Sequence, residues 1–389
     1  MRRSFIQCAL AVSLLAAAGA GAEGRWGTGA LMVVIERESG SVLVVDAAQN
    51  HRVLGRVEGL GVLHHASVSF SRDARYAYVI SRDGLLSKVD LLTLTLAGQA
   101  KVGESAVGLA VTQDGRHVAV SNYKPGSIVI VAADSMSIVK TIEADQSKTV
   151  GLVDAPGNRL IVSLMDANQI WIIDANSPDF PVIGKYLNVG EKPYDALLTP
   201  DGRYYIAGFF HSPWMALLDL WNPGQPRKIA IPAPKESQGG MPVLKIPHLE
   251  GWISAGDVLF APVIGGAGLA VIDVFTWKTK QVIPLLAHPI FAMAQPDLRR
   301  IWVNFVMGDH HGAVQVVDTQ SRKVVKTLNP ANKIFHMQFT PKGEAVYLSS
   351  YGDDKVLVYD PNTLNLVTSF PAQKPSGIFC SSRAHVFGL

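Results

Sequence analysis

Eight times along this chain an apolar run closes on an aspartate. The runs are VLVVD ending at Asp46, LSKVD at Asp90, a run from Ile128 with two extra residues before Asp134, IWIID at Asp174, MALLD at Asp219, LAVID at Asp273, VQVVD at Asp318 and VLVYD at Asp360. Successive aspartates are 44, 44, 40, 45, 54, 45 and 42 residues apart. A period of this size built from strand-like units predicts one propeller blade per repeat. The expected fold class is therefore all-β, an eight-bladed β-propeller with four-stranded antiparallel blades around a central channel.

Within a repeat, a turn such as SRDAR at 71–75 or TPDGR at 199–203 precedes a β-rich run at 76–81 or 204–209. Related turns recur at 114–116, 156–159, 297–300 and 342–344. Glycine in such turns supplies positive φ, and aspartate accepts backbone N–H bonds across them. The strand-ending aspartates read the same way, because a residue present in every blade cannot mark one site. The N-terminal strands at 31–35 and 42–45 lack an inner strand before them, and joining them to the C-terminal run at 377–380 would satisfy both edges. The longest interval holds IPAPKESQGG at 231–240, which reads as an insertion at a rim.

Arg2 and Arg3, the apolar run at 9–18 and the small residues at 18–22 read as a secretory signal over residues 1–22. Residues 23–389 are then expected to form one propeller domain outside the cytoplasm. Cys8 precedes the apolar run instead of closing it, so a lipoprotein signal is the weaker reading. Its removal leaves Cys380 without an intramolecular disulfide partner. No other segment suits a transmembrane span. Without Arg2 and Arg3 the chain carries 33 basic against 32 acidic residues, which gives no support for a nucleic-acid surface.

In a four-stranded blade the inter-blade connections share a face with the loops between second and third strands. His64, His65, His248, His288 and His336 fall in or beside the former, and His211, His310 and His311 in the latter. Neutral imidazole is a good ligand for iron, so this face could serve a metal or a metallated macrocycle. Each histidine singly reads equally well as a solvated loop residue. There is no HExxH, CxxCH or CxxC motif, and the glycines at 265–268 read as a hairpin turn instead of a nucleotide loop. Asp154 differs from the repeated aspartates, since it lies where an inner strand runs along the channel. Two readings stay open: a desolvated lumen carboxylate suited to proton transfer, or a turn-capping residue before Pro156.

The stretch from His64 to Gly84, HHASVSFSRDARYAYVISRDG, resembles the heme-binding segment of eight-bladed cytochrome d1 domains. VEGLG at 57–61, VSNY at 120–123, residues 150–156, WVNF at 302–305 and PSGIF at 375–379 extend the resemblance over the whole mature chain, toward the family's periplasmic heme d1 biosynthesis members. The resemblance implies that His65 is the proximal iron ligand, with His64 standing where the pattern has another residue and so also a candidate. It implies that Arg82 pairs with tetrapyrrole carboxylates, that Tyr123 is a channel-facing aromatic, and that Asp154 is an acid or base. His248 is a candidate for the opposite face of the ring by position only.

The implied ligand is heme d1 or its iron-containing precursor, and the implied setting is denitrification. Implied partners are other heme d1 maturation proteins and cytochrome cd1 nitrite reductase. A monomer and a homodimer are both open. The absence of an attached cytochrome c domain argues against nitrite reduction itself. The leading expectation is conversion of the ligand's propionate side chains by oxidoreductase or lyase-type chemistry, with His65 and Asp154 at the reacting centre. A non-catalytic carrier of the tetrapyrrole, and a propeller used only for protein contacts, are the alternatives.

Overall fold

The computed structural model describes residues 27–232 and 257–388. The expected signal segment, most of the proline- and glycine-rich stretch and His248 lie outside the described residues. The strands form eight antiparallel sheets, seven with four strands and one, at residues 258–284, with three among the described residues. Seven sheets follow chain order, and consecutive sheets are neighbours around the ring. The first sheet is built from both ends of the chain. Pro375–Cys380 pairs with Leu31–Glu36, setting Met32 opposite Cys380 and Val34 opposite Ile378. That closure leaves the first blade without a bare inner edge.

Burial explains the apolar runs. Leu31–Glu36 and Ser41–Asp46 are buried at every position, whereas the outer strand Arg52–Val57 is mostly exposed. Neighbouring blades pack face to face, with Leu31 and Val33 of the first blade in one core with Val68 and Val79 of the second. A strand covered on both faces needs a continuous apolar run instead of an alternating one. Each fully buried valine contributes roughly 1.5 kcal/mol.

The eight repeated aspartates behave as the sequence predicts. Each accepts a backbone N–H from one to three residues further on, as Asp46 does from Ala48 and Asp360 from Asn362. Asp73, Asp114, Asp201 and Asp297 do the same in the turns between first and second strands. Arg75 to Asp90 and Arg203 to Asp219, both 2.8 Å, join the two kinds of turn, which puts them on one face of the blade. This is the lower face; the inter-blade connections and the loops between second and third strands form the upper.

The C-terminal residues, which the sequence leaves as an unpaired end, close the channel from below. After Cys380 comes a short 3-10 turn, Ser381–His385. The chain then reaches Gly388, whose carbonyl accepts the Leu198 amide at 3.2 Å and whose amide donates to Asp154 at 2.9 Å. Arg72 donates to the Ala384 carbonyl and lies 4.8 Å over the Phe387 ring.

Candidate functional site

The channel holds a cavity of about 380 Å3 that runs from the upper loops down to Gly388. Its wall is built by irregularities in the inner strands. The ladder between first and second strands shifts register at 106–108, 150–153, 193–196 and 334–337, and again within Pro375–Cys380. The residues skipped there include Val107, Gly151, Tyr194 with Asp195, and Phe335 with His336, all of which line the cavity. A bulge leaves residues out of the ladder and re-aims their side chains, so these five interruptions turn an ordinary propeller channel into a shaped site.

His65 lies in the connection between the first two blades, with φ at +61°. A non-glycine residue in the left-handed region costs on the order of 1 kcal/mol and persists only where its surroundings impose it. His65 is one of the residues that line the cavity. His64 turns the other way: its side chain is 43% exposed and its Nε2 sits 3.7 Å from Glu38 Oε1. Of the seven described histidines on the upper face, His65 and His336 line the cavity. His288 is held by the Ile264 carbonyl at 2.6 Å, and His311 by the Gly308 carbonyl and Asn332. The buried His336 ring stacks on Phe379 and meets the edge of Phe291, and its Nδ1 accepts the Ile378 amide. Among the described residues no three metal-ligating side chains converge.

Among the described residues two arginines line the cavity, Arg37 and Arg383. Arg37, in the second-to-third-strand loop of the first blade, lines the cavity and lies 5.4 Å over the Phe335 ring. Among the described residues its buried Nε has no hydrogen-bond partner. Arg82 occupies the same loop of the second blade and stands 4.9 Å over the Tyr123 ring. Neither Arg82 nor Tyr123 lines the main cavity, but the Tyr123 hydroxyl donates to that of Tyr194, 3.2 Å away in its wall. Burial first, and the Asp195 charge after it, pushes the Tyr194 hydroxyl well above its ordinary value. Tyr123 shifts up too, chiefly through burial, so both remain protonated donors. Beyond Phe335, the apolar lining includes Phe210, Ile264, Phe291 and Met307.

Asp154 is at the other end. It is buried near the foot of its inner strand and does not line the main cavity. Arg72 Nη2 donates to its Oδ2 at 2.6 Å and the Gly388 amide to its Oδ1. Burial pushes its carboxyl upward against the pull of Arg72. The structure thus brings His65 together with Arg37, which sequence reasoning passed over, and keeps Asp154 apart from both. The signal for Arg37 was available in the repeat, since ERESG at 36–40 occupies the blade position of SRDG at 81–84. Asp195 had no such signal, because a bulge leaves no mark on the sequence of a strand, whereas His336 was already among the upper-face histidines.

A cavity of this size lies in the range of small-molecule sites, and known proteins share its framework. The family described as Cytochrome D1 heme domain matches residues 26–384. The chain belongs to the cytochrome d1 heme-domain family. Within that family, proteins named NirF from Stutzerimonas stutzeri and Pseudomonas aeruginosa are 43% and 44% identical over 370 residues, covering 93% of this chain and 94% of each relative. A dihydro-heme d1 dehydrogenase of Pseudomonas aeruginosa is 29% identical over 361 residues, covering 89% of this chain and 70% of its own. Among solved d1-type propellers, dihydro-heme d1 dehydrogenase NirN in complex with DHE superposes with a TM-score of 0.82 at 26% identity, covering 93% of this chain and 78% of that one.

Proposed function

We propose that the protein binds an iron tetrapyrrole, heme d1 or a precursor of it, in the channel, and acts on that ligand's propionate side chains in heme d1 biosynthesis. The observation that carries the reading is the left-handed His65, its imidazole in the cavity wall near Arg37, whose buried Nε has no partner among the described residues. A flat macrocycle with carboxylate edges would give that Nε an acceptor and His65 an iron to ligate. Membership of the d1 heme-domain family supports this, as does a relative whose name gives dihydro-heme d1 as its substrate.

His65 would hold the iron, because a neutral imidazole is a good axial ligand. Arg37 and Arg82 would pair with carboxylates, a geometry suited to the planar guanidinium fork. Tyr123 and Tyr194 would donate to ligand oxygens, and the apolar wall would cover a ring face. The iron, when bound, would supply a Lewis-acidic centre for an imidazole nitrogen. His248 as the ligand for the opposite face rests on position alone. An acid or base role for Asp154 would operate from the channel floor, where Arg72 and Gly388 already engage both its oxygens. A periplasmic location, and hand-over to other maturation proteins or to cytochrome cd1 nitrite reductase, belong to the same reading. Non-catalytic carriage uses the same binding residues and differs only in turnover.

The test is a titration of the purified protein with ferric heme d1, read by its Soret band. The wild-type protein is expected to shift the band, and His65→Ala to bind on the order of 100-fold more weakly. No shift with wild type would overturn the reading; an unchanged His65→Ala titration would overturn the ligand assignment.

A further inference from the structure

His65 is placed by the connection that carries it. The Ala66 amide donates to the Leu63 carbonyl at 3.4 Å, which makes Leu63–Ala66 a turn with His64 and His65 at its centre. His65 takes the positive φ that a type II turn puts at its third residue. Leu63 is buried, and the residue before it, Val62, is held from outside. The Val62 carbonyl accepts the Arg82 amide at 2.7 Å, and the Val62 amide donates to Asp83 Oδ1 at 3.0 Å. The loop that carries Arg82 therefore grips the His65 connection at both polar groups of one residue. Gly61 makes that approach possible: its φ is +81°, and a Cβ there would lie 2.8 Å from Asp83 Oδ1 and 2.9 Å from Ser81 Oγ. Burial pushes the Asp83 carboxyl up, but the Ser81 hydroxyl and the Val62 amide outweigh it and hold it below its ordinary value.

The same bond recurs on the upper face. Asp166 accepts the Lys148 amide at 3.2 Å in the fourth blade, and Asp353 accepts the Asn332 amide at 2.9 Å in the eighth. Each ties a second-to-third-strand loop to the connection entering its own blade. In the second blade that connection carries His65. We propose that Asp83 is a positioning residue for His65: by holding Val62 it sets the turn from which the imidazole reaches the iron, and registers that turn against the Arg82 loop. The inference rests on the tetrapyrrole reading. Without the bond the turn samples further orientations, and apparent affinity falls with the fraction of molecules whose imidazole is ready to ligate.

Two readouts test this: Soret titration with ferric heme d1, and the iron–imidazole stretching band of the reduced complex by resonance Raman. Asp83→Ala is expected to bind about tenfold more weakly and to shift or broaden the band. Asp83→Asn keeps a side-chain oxygen for the Val62 amide and is expected to restore both. Gly61→Ala, whose Cβ displaces the carboxylate, should reproduce the defect independently. Asp353→Ala removes the same kind of bond from a connection without His65, and is expected to keep the wild-type band and affinity. An unaltered band and affinity in both Asp83→Ala and Gly61→Ala would overturn the proposal, as would an equal change in Asp353→Ala, which would make the bond merely structural. A wild-type protein with no Soret shift or no iron–imidazole band would instead count against the tetrapyrrole reading beneath it.

Discussion

The two ends of the channel follow opposite rules. At the lower end every blade repeats the same device, an aspartate accepting the amides of its own turn, and the C-terminal tail fills the opening. At the upper end the blades differ: a histidine in the wall from one connection, arginines in two loops, bulges in five inner strands. Repetition satisfies its own polar groups locally and leaves little for a ligand. Departure from repetition places polar side chains such as Arg37, His65 and Asp195 along the lumen. The comparison teaches that in this propeller the fold is read from what recurs and the site from what does not.

Acid is the broadest way to break the lower end. Burial pushes Asp73 and Asp90 up, but Ser71 at the first and Arg75 at the second outweigh it and hold both below the ordinary value of 3.8; Arg203 holds Asp219 below it, and bonds from their own turns do so for Asp318 and Asp360. Burial pushes Asp114 up, but the Thr112 hydroxyl and Arg116 outweigh it and hold it at about 2. A group depressed in the folded state contributes stability above its unfolded value and loses it as pH falls through the folded one. Circular dichroism is therefore expected to show cooperative unfolding as pH drops from about 4 toward about 2, and a fold indifferent to that window would contradict the account.

Arg72→Met comes next. It leaves the buried Asp154 carboxylate without its cation and is expected to cost about 3 kcal/mol in urea unfolding. It also loosens the tail, so amide exchange at Gly388 should rise. At the upper end, Arg37→Gln is expected to weaken ferric heme d1 binding by about tenfold, the worth of one charge-assisted hydrogen bond, with no change in unfolding midpoint. The smallest effect is reserved for a repeated aspartate. Asp360→Ala should cost no more than about 1 kcal/mol and leave the Soret titration unaltered, because its partners are Asn362 and Thr363 of its own turn. A binding defect there would erase the distinction between the two ends.

The fold was legible because strands buried on both faces must be apolar throughout, and each must end in a turn that aspartate completes. Even the closure by Pro375–Cys380 followed from counting edges. The resemblance named both His65 and Arg82; the structure sets His65 in the cavity wall and Arg82 outside the main cavity, over the Tyr123 ring. What the sequence hides is direction. Nothing in GLVDAP distinguishes a carboxylate at the foot of the strand from one in the lumen, and Asp154 proves to be at the foot. Nothing in KPYDALL marks the bulge that sends Asp195 into the cavity. Nor does the tail's composition reveal that it lies across the channel beneath Arg72.

The central claim is that ligand chemistry belongs to the upper end. A structure of the protein with ferric heme d1 bound tests it most directly. The account predicts iron coordinated by His65, carboxylates at Arg37 and Arg82, and the tail still closing the floor. Iron ligated elsewhere with the His65 ring turned to solvent, or the macrocycle lodged against Arg72 and Asp154, would contradict it.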